Sequence, residues 1–435
     1  MKRFLSVILL FGIALSTSAK GSRTLSYGTP ESVGMNGAYL TYTIDSIANR
    51  AIAERCFPGC QILVARHGKI VHHKSYGYHT YDCKQPVRNS HLYDIASCTK
   101  VMAATLCLMR LVEQGKISLD APLSDHFEEF RGSDKEGTTL REFLTHQGGL
   151  TAVSLSKLFF DEEKKLNTEI FSPSMSKEFP YKVCDSLYAC KDIHARWFKA
   201  IADSRLYKKR LLYSCLSFHC YPTLVKRITG RDYEEYLYEE FYTPLDISKG
   251  AMYNPTRRYP LSKIVPTEFD NYFRKRLVHG YVHDESAASL GGVSGNAGLF
   301  ANAESLAVIL QMLLNGGEYD GVRYFDSKTV REWTMCQYPE NDNYRGIGFD
   351  ARRFNDRIIF AKRGYYYARS ASMASYGHSG FTGTMVWVDP AEDLIFVFLS
   401  NRVYPSRKSG SFFKLNPRAN CHEAAYEAIR RYIGR

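Results

Sequence analysis

The chain has 435 residues, 45% hydrophobic and 23% charged, proportions that exclude a disordered or fibrous polymer and leave enough apolar material for a sizeable core. Its 57 basic residues against 45 acidic ones give a formal charge of +12, which would suit an anionic partner such as a cell-wall polymer or lipid headgroups. Short basic clusters such as Lys208-Lys209-Arg210 and Arg274-Lys275-Arg276 are broken by acidic and aromatic residues, so the charge forms no nucleic-acid-binding stripe and no nucleic-acid partner is expected.

Lys2-Arg3 precede an apolar stretch over 4–15 and the small residues Ser16-Thr17-Ser18-Ala19, the pattern of a cleavable signal peptide over residues 1–19. Cleavage after Ala19 would give an exported protein, periplasmic or secreted, beginning at Lys20. The apolar run is shorter than the ~20 residues of a membrane span. No cysteine follows it to carry a lipid, and no stable membrane span is expected in the mature form.

Residues 37–55 carry apolar side chains at helical spacing and end at Phe57-Pro58-Gly59. Runs over 61–66 and 69–78, joined by His67-Gly68, read as a hairpin. Helix is predicted over 101–114, apolar on most faces and closed by Gly115, and over 140–144 behind Thr138-Thr139. Over 154–209 the chain turns polar and aromatic, the mark of an insertion or mobile lobe. Regular structure returns over 211–242, an irregular stretch runs to Leu290, and a helix over 304–314 ends at Gly316-Gly317. Strands are predicted over 376–389 and 394–400, joined by Pro390-Ala391-Glu392-Asp393, and a last helix over about 421–432. The eleven cysteines are an odd number, and their spacing specifies neither a zinc site nor a disulfide pairing. Strand pairs near both ends predict an α/β chain of the α+β type. One antiparallel sheet would be built from both termini (about 25–90 and 291–435), with flanking helices and an inserted all-helical lobe (about 91–290).

Ser97-Cys98-Thr99-Lys100 places a hydroxyl and an amine three residues apart at the start of an apolar helix, hence on one face. A lysine buried there has its pKa lowered by desolvation and can take the serine proton. The helix N-terminus adds partial positive charge where an oxyanion would form. The same spacing recurs at Ser154/Lys157, Ser174/Lys177 and Ser411/Lys414, but only Ser97 is followed by an apolar run, Val101-Met102-Ala103-Ala104-Thr105-Leu106. Two partners follow in order: Tyr213-Ser214-Cys215, and His378-Ser379-Gly380 before Phe381-Thr382-Gly383-Thr384.

This ordered set resembles the three-motif active site of serine penicillin-binding proteins and class C β-lactamases, S-x-x-K, Y-x-N and K/H-T/S-G, and the His form is closer to the DD-peptidase, D-aminopeptidase and esterase branches. The runs Leu140-Arg141-Glu142-Phe143-Leu144-Thr145-His146-Gln147-Gly148-Gly149-Leu150, Val282-His283-Asp284-Glu285 and Gly291-Gly292-Val293-Ser294-Gly295-Asn296-Ala297-Gly298-Leu299-Phe300 agree with it. The similarity begins near Leu25 and implies one β-lactamase/transpeptidase-like catalytic domain over 20–435. It implies Ser97 as nucleophile, Lys100 and Tyr213 as the groups that move its proton, and the backbone N–H groups of Ser97 and Phe381 as the oxyanion site. His378 and Ser379 would line the substrate pocket beside Gly380 and contact a carboxylate or ester group. Where the resemblance calls for Asn or Asp, this chain has Cys215, a weak partner for the lysine and for a substrate amide. No metal-ligand spacing or phosphate loop appears, and no cofactor is expected. The expected activity is an exported serine hydrolase, DD-carboxypeptidase-like or esterase-like, acting on cell-wall peptides or small acyl substrates, with peptidoglycan as the implied larger partner. The alternative is a catalytically weak penicillin- or peptidoglycan-binding protein.

Overall fold

The computed structural model describes residues 24–151, 158–352, 365–408 and 410–433. The expected signal peptide, its cleavage point and residues 154–157 of the polar stretch lie outside the described residues.

Strands from the two ends of the chain meet in one seven-stranded sheet. Its spatial order is Ser26–Tyr27, Lys69–Gly77, Gly59–Arg66, Leu394–Ser400, Met385–Asp389, Tyr376–Ser379 and Asp350–Ala351. Only the first pair is parallel. The seam between the ends is Gly59–Arg66 against Leu394–Ser400, with Arg66 opposite Leu394 and Cys60 opposite Ser400. Period-two alternation explains why these central strands are apolar at nearly every position. Leu394, Phe396 and Phe398 pack on one face with Leu40, Ile44 and Ala48 of helix Gly37–Ala53 and Ala425 and Ile429 of helix Pro417–Ile433. Ile395, Val397 and Leu399 pack on the other with Leu306 and Leu310 of helix Ala303–Leu314.

The predicted hairpin, the helix over 37–55 and the strand over 394–400 stand within two residues of their expected bounds. Helix Leu140–Leu144 begins with a reciprocal capping box between Thr139 and Glu142. Three expectations change. The strand expected over 376–389 is two strands, because Gly383 takes φ 99° and the Gly380 N–H donates to the Thr384 carbonyl at 2.8 Å, closing a turn. Residues 291–349 do not join the main sheet: Leu299–Ala301 pairs with Tyr93–Asp94 and Ala251–Tyr253 in a separate three-stranded sheet. The inserted lobe is not wholly helical; a sheet of Phe171–Ser172, Leu187–Ala189 and Tyr181–Cys184 precedes its helix Ile193–Ala202. All eleven cysteines are free thiols.

The Gly380–Thr384 turn ties the main sheet to the segment that carries Ser97. Thr382 Oγ1 donates to the Asp94 carbonyl at 2.7 Å and Thr384 Oγ1 to the Ile95 carbonyl at 2.9 Å. A Cβ on Gly380 would stand 2.0 Å from Thr384 Oγ1 and 2.4 Å from the Ile95 carbonyl oxygen. Gly380→Ala is therefore expected to destabilise the fold by about 1–3 kcal/mol, as overpacking does, and to spread Phe381 from Ser97. A thermal melt and a serine-labelling rate measured on the same preparation check this; an unchanged melting temperature and labelling rate would contradict it.

Candidate active site

The chain enters the site through Asp94, whose carboxylate accepts from the Ala96 N–H at 2.8 Å and the His283 N–H at 2.6 Å. Burial raises the pKa of Asp94, and those two backbone bonds work against the rise. Ala96 is held at φ 46°, the left-handed region that disfavours a side chain. Ser97 follows in a single 3₁₀ turn, Ala96–Cys98, which widens into a π turn over Lys100–Ala104 before regular helix begins at Thr105. Neither the Ser97 nor the Phe381 backbone N–H donates to an acceptor among the described residues.

The expected partners converge on the Ser97 hydroxyl. Lys100 Nζ donates to Ser97 Oγ at 3.1 Å, to Cys215 Sγ at 3.4 Å and to the Asn296 carbonyl at 3.0 Å. Tyr213 OH donates to Ser97 Oγ at 3.1 Å. Lys100 is fully buried, whereas Tyr213 as a whole residue is 47% exposed, at the mouth of the site. Rings of Tyr213 and Phe218 lie 5.4 and 5.3 Å from the ammonium. Asp284 Oδ1, which accepts from Ser286 Oγ, Ala287 N and Asn296 Nδ2, supplies a nearby negative charge.

Electrostatics overturn one expectation. Burial does pull the Lys100 pKa down, but the acidic neighbours Cys215, Tyr213 and Asp284 outweigh it and hold the lysine above its ordinary value. Ser97 Oγ, Cys215 Sγ and the Asn296 carbonyl meet Lys100 Nζ as three acceptors would meet the N–H groups of an ammonium ion. Burial raises the Tyr213 phenol, with the Lys100 charge pulling the other way.

His378, Ser379 and Gly380 lie at the end of strand Tyr376–Ser379, and Phe381, half-exposed, begins the turn. The His378 imidazole is 2% exposed, and its Nδ1 sits 2.8 Å from the Ser379 carbonyl. Burial, then Arg345 and Lys100, push its pKa well down. A neutral imidazole would meet a substrate carboxylate or ester group as a hydrogen-bond partner rather than as a cation. Ser379 is the more accessible of the pair.

A cavity of about 140 Å³ opens at Ser97, walled by Ala96, His283, Asp284, Glu285, Ala297, Phe381 and Arg407. Larger clefts of about 560 and 790 Å³ lie elsewhere and contain none of these residues. The sequence reading left Asp94, His146, Asp284, Asn296 and Arg345 without roles. His146 packs 4.4 Å from the Tyr213 ring and accepts from the Ser214 N–H at 3.3 Å, and the Arg345 guanidinium lies 5.6 Å from that ring. The runs that hold His146, Asp284 and Asn296 carry a signal in the sequence; nothing around Tyr344-Arg345-Gly346 marks the arginine. Among the described residues no cluster of His, Cys, Asp and Glu could hold a metal ion, and no helix is long and apolar enough to cross a membrane.

The chain and its fold are similar to known proteins. Residues 44–415 match the family model described as Beta-lactamase. The chain is 29% identical over 429 residues to an Escherichia coli O157:H7 protein named "Putative D-alanyl-D-alanine carboxypeptidase", covering 92% of this chain and 91% of that one. Its fold is similar, at TM-score 0.61 and 19% identity, to a penicillin-binding protein homologue from Caulobacter crescentus, covering 89% of this chain and 97% of the other. It is similar at TM-score 0.61 and 16% identity to EstCE1, a hydrolase with promiscuous acyltransferase activity, over 89% of this chain and 99% of that one.

The buried histidines set an acid limit on the fold. His146, His219, His378 and His422 are all at most 4% exposed, and burial depresses each, His219 to about 4 and His422 to about 3. The unfolded chain takes up protons near pH 6.5 and the folded one does not, so stability is full above that pH and falls as pH drops below it. Each group contributes up to about 1.4 kcal/mol per pH unit. The melting temperature should fall clearly between pH 7.5 and pH 5; a flat profile would contradict neutral burial.

Proposed function

This chain belongs to the Beta-lactamase family of serine hydrolases, and we propose that it is an exported acyl hydrolase that works through an acyl-enzyme on Ser97. The observation that carries this reading is the convergence of Lys100 Nζ and Tyr213 OH on Ser97 Oγ, each at 3.1 Å, with two backbone N–H groups, of Ser97 and Phe381, that meet no acceptor among the described residues. The substrate class is cell-wall peptides or small acyl compounds, cleaved in a DD-carboxypeptidase-like or esterase-like manner.

In the proposed sequence, Ser97 Oγ attacks the substrate carbonyl, and the oxygen that becomes negative takes hydrogen bonds from the Ser97 and Phe381 N–H groups. Before the attack the Tyr213 hydroxyl gives its proton to solvent, the Lys100 ammonium favouring the phenolate; the phenolate then takes the serine proton and hands it to the departing amine or alkoxide. Water repeats the cycle in reverse order of proton movement and frees the serine. Because Lys100 is charged at rest, its part is to hold Ser97 Oγ and bias Tyr213, with Asp284 balancing the charge. Lys100→Ala should lower acylation by about 100-fold, within the range of a lost acid–base partner, while the fold survives. Labelling at the unaltered rate would remove Lys100 from the mechanism.

Cys215 favours a second reading, a protein that binds penicillin or peptidoglycan with little turnover, because a thiol at 3.4 Å is a poor acceptor for the lysine and a poor partner for a substrate amide. A fluorescent penicillin and a fluorophosphonate probe separate the two readings. Covalent label lost in Ser97→Ala supports the hydrolase, and binding to peptidoglycan without label supports the other. Within the hydrolase reading, a hydrogen bond to a charged group is worth ~1.5–3 kcal/mol, or roughly ten- to a hundred-fold in rate. Cys215→Asn should therefore speed a D-Ala-D-Ala peptide more than a small ester, which has no N–H to offer. Equal changes in a variant that melts normally would mean that residue 215 does not face the substrate.

A further inference from the structure

We propose that His219 is a positioning residue for the acylation step: its Nε2–H, through the Ser286 hydroxyl, holds Asp284 where Asp284 steadies the Lys100 charge. The proposal rests on Ser97 being the nucleophile and adds to that site a residue that touches neither Ser97 nor substrate. His219 lies one helical turn beyond Cys215 on helix Leu216–Thr229, so the two share a face. From that face Cys215 Sγ meets Lys100, and the His219 imidazole, 4% exposed, meets Ser286, with Nε2 2.9 Å from Ser286 Oγ.

The direction of this chain of bonds follows from the hydrogens available. Ser286 Oγ carries one hydrogen, and its other neighbour is Asp284 Oδ1. An ionised carboxylate only accepts, so the serine hydrogen goes to Asp284 and the contact with His219 uses a hydrogen on Nε2. Burial pushes the His219 pKa down to about 4, so the ring is neutral at pH 7 and its Nδ1 is bare. That Nδ1 has no partner among the described residues. Trp197 meets the ring edge-on at 4.8 Å, but its own N–H goes to Ser289. A side chain that only filled this space would do so at less cost without a buried bare nitrogen; what the imidazole supplies is the Nε2–H. Asp284 Oδ1 also accepts from the Ala287 N–H at 2.9 Å and from Asn296 Nδ2 at 3.2 Å, while Asn296 Oδ1 accepts from Ser294 Oγ at 2.7 Å. The Asn296 carbonyl in turn accepts from Lys100 Nζ at 3.0 Å. Hydrogen bonds joined through Asn296 thus run from His219 to the lysine, and bonds in such a buried chain polarise one another. The titratable groups around His219 are Asp284, Lys100 and His194, and those around Lys100 are Cys215, Tyr213 and Asp284.

The test is the pH profile of fluorophosphonate labelling at Ser97. His219→Leu fills nearly the same space and removes the N–H, whereas His219→Gln offers an amide N–H near the place of Nε2. The leucine variant should label about tenfold more slowly at pH 7, the scale of one hydrogen bond serving a charged group. Its rate should also turn down at a lower pH on the alkaline side, because a displaced Asp284 holds the Lys100 proton less firmly. The glutamine variant should recover most of the rate and the unaltered profile. In a Ser286→Ala background, His219→Leu should have no further effect. Since a core substitution can also unfold the chain, nitrogen NMR of the unaltered protein with isotopically labelled histidine stands beside the variants: the His219 ring should be the Nε2–H tautomer at pH 7. A leucine variant that melts and labels like the unaltered protein, a glutamine variant as slow as the leucine one, additive effects of His219→Leu and Ser286→Ala, or an Nδ1–H ring would overturn the proposal, while a labelled Ser97 leaves the hydrolase reading standing. A Ser97 that takes no label in the unaltered protein overturns both.

Discussion

A buried ammonium ion beside a serine is the constraint on which the rest of this structure depends. Lys100 is fully buried, and a charge removed from water is tolerated only when its donors are met and an opposite charge is near. Three donors go to Ser97, Cys215 and the Asn296 carbonyl, which lie far apart in sequence, and Asp284 balances the charge from a fourth segment. Packing the lysine therefore assembles the site: satisfying one cation brings the turn Ala96–Cys98, the start of helix Leu216–Thr229 and the loop before Leu299–Ala301 to the same point.

The main sheet provides the second half of the arrangement. Its Gly380–Thr384 turn is held to the Asp94 and Ile95 carbonyls by two threonine hydroxyls, while the Asp94 carboxylate fixes the Ala96 and His283 amides from the other side. The left-handed Ala96 lets the chain turn sharply into the 3₁₀ turn, and Ser97, whose amide meets no acceptor among the described residues, lines the same cavity as Phe381. In the proposed mechanism, strain and close packing here would keep the two amides in place before any substrate arrives.

Much of this was legible in the sequence wherever a period or a side-chain type carried the signal. The central strand reads as unbroken apolar residues over 394–399 because both its faces are covered, and of the ordered trio the fold brings Tyr213 OH to Ser97 Oγ and the His378 ring to 6.2 Å from the Tyr213 ring. What escaped reading is work done by backbone or by fields. Asn296 acts through its carbonyl, which every residue has, so no residue type announces it. The strand over 376–389 looked continuous because the turn depends on Gly383 at φ 99° inside an apolar run. The Lys100 pKa was expected to fall because burial alone was weighed; its acidic neighbours come from segments that only the fold brings near. Arg345 reaches Tyr213 from a stretch with no motif at all.

The central claim is that Ser97 Oγ and the amides of Ser97 and Phe381 address one reacting carbon, and trapping a tetrahedral adduct tests it most directly. In a crystal structure of the protein soaked with a small arylboronic acid, boron should be bonded to Ser97 Oγ, with one boronate oxygen within hydrogen-bond distance of both amides. Boron bonded to another residue, or to Ser97 with its oxygens turned away from Phe381, would contradict the account.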